Sequence, residues 1–465
     1  MQDITHTSRA GPVRFARSLA LVCVFAPILR ARQTFARPTS PSQAGNVLLV
    51  IADDVGTDKI GAYREASHPP PTPAIDALAA RGVLFRHAYA EPLCSPTRAT
   101  IMTGRYGFRT LIGEVIPANS RAYSLPFTEV TLPALLGSGP RKVIATALIG
   151  KWHLSNGLSG GALAPNLHGF DWFSGTLCNF AAGETFCSYT KTTNGEQTTS
   201  TVYATTDQVD DALAWITAAK QPWFCVLSFN APHAPMHVPP PSLHSCPLAG
   251  DPENTPVEHF DAALEALDIE LGRLLTSLAP KIVARTNVIV LGDNGTPPRA
   301  VAANAEGKVA KGSLFEGGVH VPLIIAGPCV VQPGRECGAL VNTVDLFPTI
   351  ADLFGVNVAE SMPDARKIDG MTLMPYILDA AAPPQRHWVF AERFEPNGPG
   401  PYTSRSRMLR DERWKLIERD DARDQFFDLQ DRALEEPSLL PGDLTPEQRR
   451  AYDTLKTQML TLLHS

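Results

Sequence analysis

The strongest limit on what this chain can fold into is a set of short apolar runs with no polar alternation: "NVLLVIA" (46–52), "VIATALIG" (143–150), "WFCVLSF" (223–229), "NVIVLGD" (287–293) and "VPLIIAG" (321–327). A strand with one wet face alternates apolar and polar residues. Continuous runs of this length are strands buried on both faces, which points to a mostly parallel sheet covered by helices on both sides. Helical segments lie between the runs. In "TPAIDALAARG" (72–82), Thr72 is placed as N-cap, Pro73 at the first helical position and Gly82 as the stop. Val257, Phe260, Leu264, Leu267, Leu271 and Leu274 recur in steps of three and four, the apolar stripe of one long helix. The expected class is α/β.

At 465 residues the chain exceeds the usual single-domain size. The character changes near residue 380. "HWVFAERF", "SRMLRDERWKLIER" and "QFFDLQ" are short strand-like runs broken by charges. They precede "TPEQRRAYDTLKTQMLTLL", where Thr445, Pro446 and Gln448 make a capping box. The expectation is a large domain over 45–380 and a smaller C-terminal α+β domain, a sheet plus a closing helix, over 381–465. Residues 1–44 read as a leader. Arg9, Arg14 and Arg17 precede the apolar "SLALVCVFAPIL" (18–29), too short to span a bilayer, and "SQA" (42–44) offers a small-residue cleavage site. An exported protein, periplasmic or secreted and without stable membrane insertion, is expected. Arg30 and Arg32 follow the apolar run unusually closely. The net charge of -6 gives no reason to expect nucleic acid as a partner. An anionic substrate would need a local cationic site.

In an oxidising compartment, Cys178 with Cys187 and Cys329 with Cys337 could each close a local disulfide. Cys23 would leave with the leader, and Cys225 reads as a buried strand residue.

The polar residues that end the apolar runs carry the chemistry. In open α/β sheets, ligands bind beyond the carboxyl ends of the strands. Asp53 and Asp54 end the first run, Lys151 and His153 follow the second, His233 follows the third, and Asp293 and Asn294 follow the fourth. Three carboxylates and an amide are hard oxygen donors suited to Ca²⁺, with Mg²⁺ possible. Asn294 also opens an N-x-[ST] sequon, "NGT", but its place directly behind a buried strand favours the metal role.

The stretch "EPLCSPTRATIMTGRYGFRT" (91–110) sets a cysteine at the head of a helix one turn before Arg98. C-x-P-x-R followed by "ATIMTGR" resembles the signature of the type I sulfatases, arylsulfatase-like members of the alkaline phosphatase-like superfamily. "ADD", "GKWHL", "PHAP", "GDNG" and "KGSLFEGG" stand in that family's order from about residue 46 onward. The resemblance implies that Cys94 is oxidised by a formylglycine-generating maturation enzyme to an aldehyde. One hydroxyl of its hydrate would attack sulfur while bound to the metal, and the other would expel sulfate. It also implies that Asp53, Asp54, Asp293 and Asn294, with the residue at 94, hold the cation. Arg98 would steady the hydrate, and Lys151 would contact the hydrate and sulfate oxygens. His153 would be the base. His233 would contact the ester oxygen and protonate the leaving alcohol, with Lys311 acting from the opposite side. A unit-charge pair at 4 Å is worth roughly 4 kcal/mol at an effective dielectric near 20, so two lysines, an arginine and a divalent cation answer the sulfate charge.

His320 stands where the family commonly has arginine, and "FFDLQDRALEEPSLL" only loosely follows its C-terminal pattern. The implied activity is hydrolysis of a small-molecule or carbohydrate sulfate monoester. A related formylglycine hydrolase of phosphonate or phosphate esters is the alternative, and a non-catalytic binding protein of the same fold a third reading. Nothing in the sequence selects the leaving alcohol.

Overall fold

The computed structural model describes residues 45–465 except 119–120, 139–143, 221, 302–309, 363–366, 431–434 and 436. The leader, Cys23 and Val143 lie outside the described residues. The first apolar run is β1 (Asn46–Ala52), and every one of its residues is buried. Its side chains alternate between two cores: Val47, Leu49 and Ile51 enter one, Leu48 and Val50 the other. Both faces of the sheet are therefore covered, as an unalternated apolar strand requires.

The remaining strands of this sheet are β2 (Gly82–Tyr89), β3 (Ala145–Lys151), β4 (Trp172–Thr176), β5 (Tyr189–Thr193), β6 (Glu196–Ser200), β7 (Trp223–Ser228), β8 (Thr286–Gly292), β9 (Leu323–Ala326) and β10 (Arg335–Asn342). They form a ten-stranded sheet in the order β10-β2-β9-β8-β1-β7-β3-β4-β5-β6. The centre is parallel: β1 pairs in parallel with β7 and β8, and β3 with β7 and β4. β9, from the "VPLIIAG" run, lies antiparallel to both β8 and β2. β5 and β6 form an antiparallel hairpin at the far edge.

Helix α1 (Pro73–Ala80) ends at Arg81, and Gly82 opens β2 instead of serving as the stop residue. Ordinary residues close this helix because Arg81 donates back to Leu78 and Ala79 without left-handed backbone. Thr72 makes no capping bond to the backbone. The Asp268 carboxylate does so instead, accepting from the amides of Ala74 and Ile75 at 2.8 Å each. The other helices of eight residues or more among the described residues of this part are α2 (Cys94–Thr103), α3 (Ala204–Ala218), α4 (Pro256–Ser277) and α5 (Leu346–Leu353). Along α4, Phe260, Leu264, Leu267, Leu271 and Leu274 are fully buried, while Val257 is only half-buried.

The charged tail folds as the antiparallel sheet β11 (Val389–Glu395), β12 (Ser404–Arg410), β13 (Trp414–Arg419) and β14 (Gln425–Asp428). Helix α6 (Pro446–Leu463) closes it, with both bonds of the Thr445–Gln448 capping box formed. A buried ionic network ties this sheet to the segment after Lys311. Lys415 Nζ donates to Glu316 at 2.9 Å and to Glu435 at 2.5 Å. Arg410 donates to Glu316 at 3.1 Å and also to the Tyr89 hydroxyl.

Neither expected disulfide is present, and Cys178, Cys187, Cys329 and Cys337 are free thiols. Cys178 is buried, its thiol 3.4 Å from the Ser155 carbonyl, whereas Cys187 is exposed. Cys337 lies in β10, and β2 intervenes between β10 and β9, the strand that leads to Cys329. Cys225 is buried in β7 as expected.

Candidate active site

The sheet order explains why distant motifs meet. β8, β1, β7 and β3 are consecutive neighbours, so the residues after their carboxyl ends share one rim. Gly150 lets β3 approach β7: a Cβ there would lie 1.8 Å from the Ser228 carbonyl oxygen, and φ is +100°. Asp54 and His153 sit in left-handed backbone at φ 73° and 60°, a conformation that non-glycine residues adopt at a cost and that clusters at functional sites. Lys151 and His153 thus do not share a face of an extended segment. Lys151 ends β3, and the left-handed backbone of His153 breaks the extended geometry there.

Cys94 is the first residue of α2 and is 0% exposed. Its Sγ lies 3.2 Å from His153 Nδ1. One turn on, Arg98 donates through Nε and Nη2 to Asp293 Oδ2 at 3.1 and 2.8 Å. Its Nη1 donates to the Lys151 carbonyl at 2.7 Å and to Ser228 Oγ at 2.5 Å. Lys151 pairs with Asp53 and Lys311 with Asp54. Asn294 Nδ2 donates to Asp54 Oδ1 at 2.8 Å, and the Asp54 amide donates to Asp293 Oδ1 at 3.0 Å. His233 Nε2 is 3.8 Å from Asp54 Oδ2. All the candidate residues are therefore linked into one cluster, with His233 the most loosely held. His320 lies apart, bonded through Nε2 to the Arg86 carbonyl at 2.7 Å and stacked on Tyr89.

Burial sets the protonation states, and the local cations modify them. Burial, reinforced by Lys151 and Arg98, pushes His153 well below the usual histidine range and keeps it a neutral base. Burial also lowers His233, against the pull of Asp54. Burial opposes the charge on Lys311, but Asp54 overrides it and raises Lys311 further. The Cys94 thiol is pushed up by burial despite Lys151 and Lys311, so an unmodified thiol here is protonated and a poor nucleophile. Asp53, though buried, is held low by Lys151, whereas burial and Asp53 raise Asp293.

The donor set fits a hard cation. One ligand atom each from Asp53, Cys94 and Asp293 lies within 4.8 Å of the others, and Asp53, Asp54 and His233 form a second such group. Asp53 Oδ1 and Asn294 Oδ1 are buried with no hydrogen-bond partner. Buried oxygens are rarely left unsatisfied, and a bound cation would answer both.

Ser228 was missed in the sequence. Its hydroxyl accepts from Arg98 and donates to the Lys151 carbonyl at 2.8 Å. Its position at the end of the "WFCVLS" strand was the available signal.

A helix-initial cysteine beside a neutral histidine, lysines and carboxylates at the carboxyl rim of a parallel sheet is the layout of a hydrolase for anionic esters. The sulfatase family profile matches residues 45–356, and the N-sulphoglucosamine sulphohydrolase C-terminal profile matches residues 306–463. The chain belongs to the sulfatase family, whose members hydrolyse sulfate esters. It is 31% identical over 379 residues to the N-acetylgalactosamine-6-sulfatase of Sus scrofa, covering 73% of this chain and 67% of that one. The chain thus spans about two thirds of the length of this curated relative. The crystal structure of Ps i-CgsB superposes with a TM-score of 0.73 at 25% identity, covering 90% of this chain and 93% of that one. The structure of BT4656 in complex with its substrate D-glucosamine-2-N,6-O-disulfate gives 0.69 at 19% identity, covering 90% and 97%.

Proposed function

We propose that this chain hydrolyses the sulfate monoester of a sugar, with residue 94 as nucleophile in its formylglycine form. The carrying observation is Cys94 Sγ at 3.2 Å from a neutral, buried His153, inside a ring of Arg98, Lys151 and Lys311. A sulfated sugar is favoured because the relatives named above act on, or bind, sulfated carbohydrates. As formylglycine, residue 94 would supply a hydrated aldehyde with one hydroxyl to attack sulfur and a second to expel sulfate by C–O cleavage.

Asp53, Asp54, Asp293, Asn294 and the residue at 94 would hold Ca²⁺, with Mg²⁺ as alternative; the bound ion acidifies a hydroxyl and offsets sulfate charge. Lys151 and Lys311 bind the sulfate oxygens. Arg98, gripped by Asp293, fixes the helix that carries residue 94. His153 takes the proton from the second hydroxyl, and His233 or Lys311 delivers one to the leaving alcohol. Residues 45–380 would form the catalytic domain and 381–465 the smaller one. Residues 1–44 would be an export leader, and a formylglycine-generating enzyme would act on Cys94. Among the described residues no helix is long and apolar enough to cross a membrane.

Peptide mass spectrometry of the fragment holding residue 94, run beside kinetics on the sulfate and phosphate monoesters of one alcohol, tests this. The expected result is activity in proportion to formylglycine content and a higher kcat/KM for the sulfate. Activity that tracks the unmodified cysteine, or a preference for the phosphate, overturns the reading.

A further inference from the structure

Around the cluster, two segments are tied to its immediate neighbours. The 113–116 loop is fixed to α2, because the Ile116 amide donates to the hydroxyl of Ser95, the residue after Cys94, at 3.1 Å. The same loop is fixed to the end of the C-terminal sheet: the amides of Gly113 and Glu114 both donate to Asn397 Oδ1 at 2.8 Å. On the other side, Gly312, next to Lys311, donates its amide to the Pro92 carbonyl at 2.9 Å and accepts from Arg393 Nη1 at 2.9 Å. Arg393 closes the circle onto Glu114, with Nε 2.9 Å and Nη2 2.8 Å from Glu114 Oε2. The Glu114–Arg393 pair therefore bridges the segment beside Cys94 and the segment beside Lys311.

Unlike the buried ions of the cluster, this pair meets solvent: the Arg393 side chain is 39% exposed and that of Glu114 is 19% exposed. A guanidinium has five N–H groups. Nε, one N–H on Nη1 and one on Nη2 are used, so one remains on each terminal nitrogen. Among the described residues, Glu114 Oε1 accepts from the Val115 amide alone, at 2.9 Å, and keeps acceptor capacity. The pair is neutral overall, and it offers spare donors beside a spare acceptor. That is the complement of neighbouring hydroxyls, each both donor and acceptor; a second anion would face the Glu114 carboxylate.

We propose that Glu114 and Arg393 form the subsite that reads neighbouring ring hydroxyls of the leaving sugar, an assignment that rests on the sugar-sulfatase reading above. A site built to bond hydroxyls discriminates against a leaving group without them, because its polar groups are then left unpaired.

The test compares N-acetylgalactosamine 6-sulfate with 4-nitrophenyl sulfate, whose leaving group has no ring hydroxyls, in matured wild type and in Arg393→Ala, Arg393→Lys and Glu114→Gln. For each variant, kcat/KM for the sugar ester should fall about 10- to 100-fold, mainly through KM. The loss on the aryl ester should be at least about tenfold smaller. Arg393→Lys keeps the charge but not the planar fork, so it should recover aryl-ester turnover better than sugar-ester turnover. Equal losses on both esters would show that the pair merely holds the Lys311 segment, and no loss would show that it touches no substrate; either overturns the proposal. A wild type that cleaves only the aryl ester refutes the subsite alone. One that cleaves neither refutes the sulfatase reading, and the subsite with it.

Discussion

Burial pushes the Cys94 thiol above its ordinary range and favours its protonated form, against the pull of Lys151 and Lys311. A serine at that position offers one hydroxyl where the proposed chemistry needs two. Cys94→Ala is therefore expected to lose activity by on the order of 10⁴-fold or more. Cys94→Ser should retain sulfate on residue 94 after one turnover, seen as a mass increase on that peptide. Asp293 grips Arg98 and, in the proposed reading, also donates to the cation. Asp293→Ala should lower the bound calcium measured by elemental analysis and abolish turnover, and full metal content in that variant would contradict the ligand set. Asp53, Asp54, Lys151, His153, Asp293 and Asn294 were legible because they follow apolar strands that could only be buried, whereas Cys94, Arg98 and Lys311 were found through the motifs of the family resemblance. Glu114 and Arg393 were not legible. Glu114 lies in a loop and Arg393 is one of several charges on β11, and only the folded chain shows that Gly312 and Asn397 draw them together.

At the scale of elements, the central strands were readable because burial on both faces removes polar alternation. β2 and β10 were not read as strands. Arg86 and His87 interrupt the first, and the outer half of β10 alternates between half-buried and exposed residues at the edge of the sheet. Thr72 is the N-cap of α1 as read, but the capping bonds could not be read for a related reason: the carboxylate that makes them comes from Asp268 on α4, far away in sequence. Burial raises the Asp268 carboxyl to about 6 against the usual value of 3.8. The folded state thus holds this proton more tightly than the unfolded chain does. Its contribution is fully present below pH 4 and is lost as pH rises through about 6. Asp268→Asn should remove that part of the pH dependence, read as a flatter unfolding midpoint between pH 4 and 6 than in wild type. An unchanged slope would show that the group does not titrate there.

Across the whole molecule, buried charge ties the C-terminal sheet to the segment after Lys311. Lys415, fully buried, answers both Glu316 and Glu435. Removing one partner of a buried ionic group strands the others, at a cost of about 3–5 kcal/mol. Lys415→Met should lower stability by about that amount in guanidinium chloride unfolding, whereas Arg419→Met, whose partner Asp421 is 61% exposed on its side chain, should change it little. The sequence showed this tail as a separate sheet and helix. It could not show the coupling, because charge pairing between distant strands leaves no periodic trace.

The full burial of Cys94 at the head of α2 also imposes a schedule on the making of this protein. Its helix is locked by Arg98 onto Asp293, a residue 199 positions further along the chain than Cys94. A ribosome adding about 5–20 residues per second takes roughly 10–40 s to cover that distance. During this interval the thiol has no finished pocket to hide in, and afterwards it has no solvent-exposed surface. In the formylglycine reading proposed above, oxidation of Cys94 would therefore compete with folding. Faster folding would then be expected to alter the fraction of molecules that become active, without changing a single residue of the site.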